Sequence, residues 1–403
     1  MRPVATQRPA LPLAGVRVVE LSHMVMGPTC GMILADLGAE VIKVEPPKGD
    51  NTRRLIGSGA GFFRMFNRNK KSLAVDMTRP DGLEIVHRLI ATADVLIENF
   101  KPDTLAKYRL DYASLAAQHP RLIYVAHKGF LPGPYAHRTA LDEVVQMMAG
   151  LAYMTGPVGR PLRAGSSVND IMGGMFGAIG VLAALRERER TGRGLEVQSA
   201  LFENCVLLCG QHMQQYAVTG QAPLPMPLRT SAWGVYDVFT GADGVQIFLG
   251  VVTDTQWAIF CDRFGLQTLA GDPRLSTNNQ RVRARQWLIP LLQSTFSRYT
   301  AGQLQDLFEQ NGLPYAPIVR PEQLFEDPHL VASGGLAALT TETGEETAVP
   351  LLPIALAEER LGPRFPLCRI GQHTHEVLRA LGYPDGEIDA LARHQTVVCD
   401  GSS

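Results

Sequence analysis

The sequence predicts an α/β protein, with a Rossmann-like large domain and a smaller α+β domain, and three observations carry that expectation. Five short β-rich runs occupy the first 130 residues: Val16–Leu21, Glu40–Glu45, Ser72–Met77, Asp94–Phe100 and Arg121–Ala126. Between them, Pro28–Gly38 and Asp81–Ala93 repeat apolar residues at three- and four-residue spacing, the period of a helix lying on a sheet. Alternation of the two patterns implies a largely parallel sheet covered by helices. After the Pro-rich stretch Ala222–Pro227 the pattern changes. Val235–Phe239 and Val245–Val251 flank Gly241-Ala242-Asp243-Gly244, a hairpin signal, and helices are expected at Asp254–Phe264, Gln280–Tyr299 and Ala301–Asn311.

Residues 1–224 are therefore assigned to the large domain, 225–330 to the small one, and 331–403 to a C-terminal segment returning to the first. Ligands of a parallel sheet sit beyond the carboxyl ends of its strands, so His23–Pro28, Pro46–Thr52 and Asn99–Pro102 should line one crevice. From Ala140 to Gly220 the pattern is mainly helical, with Asp170–Arg190 and Ser199–Thr219 the strongest runs. Gly173, Gly174, Gly177 and Gly180 within one helix each cost about 1 kcal/mol relative to alanine. Another backbone or a ligand is expected to approach them closely. The tail carries a second Pro-rich zone near Pro350–Pro366 and helical runs at Thr374–Leu381 and Asp385–His394.

Composition excludes several classes. Hydrophobic residues make up 45% and charged residues 19% of the 403, and the formal net charge is −1, the balance of an ordinary globular chain. Arg68, Lys70 and Lys71 form a local basic cluster, but there is no excess of positive charge to bind nucleic acid. A small anionic ligand suits this chain better. Met1–Leu13 lacks an apolar stretch long enough for a signal-peptide core or a membrane span, so no membrane association and a cytoplasmic location are expected. The six cysteines show no CxxC pair and read as free thiols, with Cys205 and Cys209 one helical turn apart.

Several local signals invite chemistry. Gly27, Gly31 and Gly38 follow a strand and Glu45 ends the next, but the glycine spacing is wrong for a dinucleotide turn and Pro28 and Cys30 intrude. Asp170 stands at or next to the first residue of the long glycine-containing helix, where it is either a cap or a carboxylate nucleophile kept ionised by the helix N-terminus. His23, His127 and His137 lack metal-ligand spacing, so no metal is expected. Ser166 and Ser167 lack a GxSxG elbow. Arg53, Arg54, Arg138 and Arg163 have the planar fork that holds carboxylates bidentately, and could equally pair with phosphates.

Longer blocks point to a family. Leu13–Leu21, Gly27-Pro28, Leu37–Glu45 and Gly49-Asp50 resemble the opening of class III CoA-transferases. Asn67–Ser72, Asp94–Pro102, Thr191–Gly194 and Gly371–Leu378 resemble further blocks of that family in the same order. The resemblance spans essentially the whole chain and includes formyl-CoA transferase and carnitine CoA-transferase-like members. It implies an enzyme with coenzyme A as co-substrate, acyl-CoA and small carboxylic acids as partners, and an interlocked homodimer. It also implies that Asp170 is the nucleophile, passing through an aspartyl anhydride and an aspartyl-CoA thioester.

By the same resemblance, Asn99, Phe100 and Lys107 contact CoA, and Lys70, Lys71 and Ser72 lie near its nucleotide end. Asp142 and Gln146 match the helix facing the nucleophile. Val25 stands where formyl-CoA:oxalate enzymes carry a glutamine, and their glycine-rich loop has no counterpart near Leu228–Asp237. Leu141 stands where the family's α-methylacyl-CoA racemases carry a histidine, and α-proton exchange on two faces needs two acid–base groups. Lys128–Tyr135 and Ala140–Glu143 look instead like enzymes handling succinyl-CoA and dicarboxylates such as mesaconate, itaconate or citramalate. Arg54, Arg138 or Arg163 is then expected to grip the distal carboxylate.

Overall fold

The computed structural model describes residues 11–101 and 103–400; the expectations for Met1–Ala10, and for Pro102 at the end of the third crevice loop, lie outside the described residues. Two compact units are present, one ending at Pro223 and resuming at Pro328, the other spanning Leu224–Asp327.

The first unit runs β1 (Arg17–Leu21), α1 (Met26–Asp36), β2 (Glu40–Glu45), α2 (Phe62–Phe66), β3 (Lys70–Val75), α3 (Pro80–Ile90), β4 (Val95–Glu98), α4 (Tyr112–Gln118) and β5 (Ile123–Lys128). It continues through α5 (Asp142–Met148), α6 (Leu151–Thr155), α7 (Val168–Thr191), β6 (Glu196–Ala200) and α8 (Leu201–Thr219). The six strands lie in the order β3-β2-β1-β4-β5-β6, all parallel, and the strand Val397–Val398 adds antiparallel to the free edge of β3. Strand order reverses direction between β1 and β4, which opens a crevice at their carboxyl ends.

Burial on both faces explains the strand sequences. Val18, Val19 and Leu21 of β1, and Val95, Leu96 and Ile97 of β4, are buried, as near-continuous apolar runs in a covered parallel sheet should be. Glu20 breaks the run and is fully buried. Its carboxylate meets the Lys43 ammonium at 3.3 Å and that of Lys70 at 2.7 Å, and Asp50 pairs with Lys43 at 2.9 Å, so two buried acids match two buried ammonium groups.

Helix α7 fits the sheet only because of its glycines. A Cβ on Gly174 would stand 2.6 Å from the Met26 carbonyl oxygen of α1, and one on Gly177 would stand 2.4 Å from the His127 ring. One on Gly180 would press on Val197 at 2.4 Å. The close approach expected of these glycines is made within one chain, against α1, β5 and β6. The opposite side of α7 exposes Met175, Phe176, Ile179 and Leu182.

Strand β6 was not legible. Ser199 and Ala200 are read from the sequence as the start of a helix, yet they extend a strand, in register with His127 and Lys128 of β5. The segment Glu196–Ala200 has little apolar patterning, so the open edge of β5 decides its conformation. Likewise β3 begins two residues earlier than expected, at Lys70.

The second unit pairs the strands Val235–Thr240, Gln246–Val251 and Tyr315–Pro317 antiparallel. Helices Asp254–Arg263, Asn278–Phe296 and Ala301–Gln310 supply Phe260, Phe296 and Phe308 to its core, around Phe239. Each of the three helices starts with a Thr–Gln capping box: Thr253 with Gln256, Thr277 with Gln280, and Thr300 with Gln303. In the C-terminal part of the first unit, Thr374 Oγ1 accepts the backbone N–H of Ala74, tying helix Thr374–Ala380 to β3.

Candidate active site

Asp170 lies in the first turn of α7, but it is not the cap of that helix. Ser167 precedes the helix and makes no side-chain capping bond. The cap comes from α5, where Asp142 Oδ2 accepts the backbone N–H of Asn169 at 2.9 Å and of Asp170 at 3.1 Å. Asp142 is placed to do so because Leu141 takes extended backbone before the helix begins, turning the first residue of α5 inward. The capping reading of Asp170 is thus corrected: a different carboxylate satisfies the orphan N–H groups.

The same arrangement corrects the expected charge state. Burial, then the neighbouring Asp142 charge, push the Asp170 carboxyl up to about 7, while Arg163 pulls the other way. A helix N-terminus on its own would hold the group ionised, but here its N–H groups face Asp142.

Gln146, fully buried one turn along α5, joins the parts. Its Nε2 donates to Asp142 Oδ1, and its Oε1 accepts the backbone N–H of Ala164 at 2.8 Å. Arg163 is fixed by its Nε, which donates to Ala164 O at 3.0 Å, and its terminal NH1 group pairs with Glu143. Four sequence-named residues, Asp142, Gln146, Arg163 and Asp170, therefore converge, and Glu143 joins them unforeseen. The signal available in the sequence was the consecutive pair Asp142-Glu143: at the start of one helix, one acid faces inward and its neighbour outward.

Other residues fall outside this group. Val25 is fully buried with Met32 and Phe66 and has no surface to offer a substrate. Arg54 donates to Lys48 O and Asn51 Oδ1 within its own loop. Arg138 lies over the Tyr135 ring, its Cζ 4.2 Å from the centroid. Glu45, the acid that invited a ribose, is occupied by Ser72 Oγ, the Asp50 backbone N–H and the Arg53 guanidinium.

Comparison with known proteins decides the family. The model of CoA-transferase family III matches residues 13–374. The chain belongs to CoA-transferase family III. It is 36% identical over 384 residues to a succinate–glutarate CoA-transferase of Agrobacterium fabrum, covering 92% of this chain and 96% of that protein. A succinyl-CoA–D-citramalate CoA-transferase of Chloroflexus aurantiacus is 33% identical, with 98% and 100% covered. The structure of a CAIB/BAIF family protein from Brucella suis superposes with a TM-score of 0.80 at 33% identity, covering 92% of this chain and 100% of that one.

In this family III CoA-transferase the residues expected at CoA divide. Asn99 and Phe100 follow β4 at the reversal of strand order. The Asn99 amide exchanges hydrogen bonds with the backbone of His23, Nδ2 donating to the carbonyl at 2.7 Å and Oδ1 accepting the N–H at 3.0 Å. The Phe100 ring lies 5.7 Å from the His23 ring, so the loops after β1 and β4 are joined into one rim. Lys107 is exposed, its ammonium 4.8 Å from the Tyr108 ring centroid.

In the β3 block, Lys70 and Ser72 depart from the expectation that they lie near the nucleotide end of CoA. Lys70 is fully buried, bonded to Pro28 O and Asn67 Oδ1 and paired with Glu20; burial lowers its pKa to about 8. Ser72 is buried between Glu45 and the backbone N–H of Gly371. Lys71 points to the opposite face and pairs with Glu40 and Glu376. Alternation along a covered strand puts two of the three in the interior, where they hold the sheet together.

Proposed function

We propose that this family III CoA-transferase moves CoA from succinyl-CoA to a dicarboxylic acid, through a covalent relay on Asp170. The observation that carries the proposal is the partly buried Asp170 carboxyl in the first turn of α7, left free of capping by Asp142 and pushed up to about 7 against the pull of the Arg163 charge. Such a group is both ionisable and strongly nucleophilic at neutral pH. Relatives named for succinyl-CoA, glutarate and D-citramalate supply the substrate class.

In this reading an Asp170 oxygen attacks the thioester carbonyl, the C–S bond breaks, and CoA thiolate leaves an aspartyl–succinyl anhydride. Thiolate attacks the aspartyl carbonyl, releasing succinate and leaving Asp170 as a CoA thioester. The acceptor carboxylate displaces the thiolate to form a second anhydride. Thiolate then takes the acceptor acyl group and Asp170 is regenerated. Each step exchanges one acyl bond for another, so water must be kept out while the bond energy is carried. Asn99, Phe100 and Lys107 are read as the CoA-facing rim, and Arg163 as the acceptor clamp.

Mass analysis after mixing with succinyl-CoA tests the relay: a CoA or succinyl mass should appear on Asp170 in the wild type and be absent in Asp170→Ala. A panel of dicarboxylates should yield new CoA thioesters. Absence of both in the wild type would sink the reading.

We also infer a homodimer from the apolar stripe Met175, Phe176, Ile179 and Leu182 on α7, with Leu207 and Met213 exposed on α8. Light scattering should return twice the chain mass, and a monomer would count against it.

A further inference from the structure

We propose that Arg163 selects dianionic acceptors over monoanionic ones by gripping the distal carboxylate, and that Glu143, its resting counter-ion, is a built-in competitor that weakens the binding of dianionic acceptors alone. The inference rests on the transferase reading of Asp170 and extends it to specificity.

Three observations support it. Arg163 is the cation whose charge is felt at Asp170, whereas Arg54 is held in its own loop and Arg138 lies over Tyr135. Its Nε is anchored on Ala164 O, and Ala164 is held in turn by Gln146, so the guanidinium keeps its position while a terminal group remains exchangeable. The group now filling that place is itself a carboxylate. Glu143 shows the fork what an acceptor's distal carboxylate would present: two acceptor oxygens and one negative charge.

Exposure decides whether exchange is feasible. The Arg163 side chain is 35% accessible and that of Glu143 59%, so the pair is largely solvated and contributes little to the fold. Displacing Glu143 into water leaves no buried charge unpaired. A substrate carboxylate on Arg163 also excludes solvent from that face of the site, and the pairing strengthens as water is removed. An acid with one carboxylate gains nothing from the exchange, because its only carboxylate must reach the acyl group on Asp170. A dicarboxylate uses both ends.

The test compares glutarate with pentanoate, acids of equal chain length, as acceptors from succinyl-CoA. Transfer is measured as kcat/KM for wild type, Glu143→Gln, Arg163→Gln and Arg163→Lys. The glutarate-over-pentanoate ratio should rise several-fold in E143Q through a lower glutarate KM. It should fall ten-fold or more in R163Q and recover in part in R163K. If R163Q slows both acids equally, or E143Q leaves the glutarate KM where it was, the counter-ion role is overturned while the transferase reading stands. If the wild type transfers CoA to neither acid and carries no adduct on Asp170, both fall together.

Discussion

Asp142 holds the backbone N–H of Asp170 at 3.1 Å and, at the same time, raises the pKa of the Asp170 side chain. One carboxylate caps the helix and adds to burial in holding back the ionisation of the other, so the two residues form a unit in which geometry and acidity are linked.

That unit predicts a pH profile. If Asp170 must be ionised to attack, kcat/KM rises with pH through about 7 and then levels. Asp142→Asn removes the like charge and should move the acidic limb to lower pH. Arg163→Gln removes the opposing charge and should move it higher. Rates at fixed succinyl-CoA between pH 5 and 9 check both directions; a limb that stays in place in both variants assigns the titration to another group.

Stability should show the reverse face of the same shift. A carboxyl whose folded pKa stands near 7, above its unfolded value of 3.8, disfavours the fold once pH exceeds the unfolded value, and fully so above 7. Asp170→Asn is therefore expected to raise Tm at pH 8 and to leave it unchanged below about pH 4, read by thermal denaturation across pH. Equal Tm at pH 8 would show that the carboxyl is not strained.

Packing of α7 on α1 gives a third expectation. Gly174→Ala places a Cβ 2.6 Å from the Met26 carbonyl oxygen and 2.5 Å from Thr29 Cβ, and should destabilise by about 1–3 kcal/mol in urea denaturation. Gly386→Ala, in a helix with nothing near its added carbon, should be neutral or slightly stabilising.

The buried charges beneath the sheet surface make a fourth. Glu20→Gln leaves Lys70 without a carboxylate partner in a fully buried position, while Lys43 keeps Asp50 at 2.9 Å, and should cost about 3–5 kcal/mol. Lys71→Gln, on the exposed face of the same strand, should cost under about 1 kcal/mol.

Much of the first unit was legible because its signals are local. Strands β1 and β2 carry apolar runs bounded by polar turns, and α3 has a full apolar stripe, so periodicity alone places them. The glycines of α7 announced close packing, and its length announced a helix. Resemblance over ordered blocks named the family and drew attention to Asp170, Asp142 and Gln146.

Tertiary structure decided what depends on partners distant in the chain. Lys70 and Ser72 look like ligand residues in one dimension, but Glu20 lies 50 residues before Lys70 and Glu45 lies 27 before Ser72, and these acids take them into the interior. Strand β6 exists because β5 offered an unpaired edge. Asp170 could be recognised from its place before a long helix, whereas its protonation could not. A pKa depends on burial and on charges a few ångströms away, and Asp142 comes within that range only when α5 folds back against the start of α7.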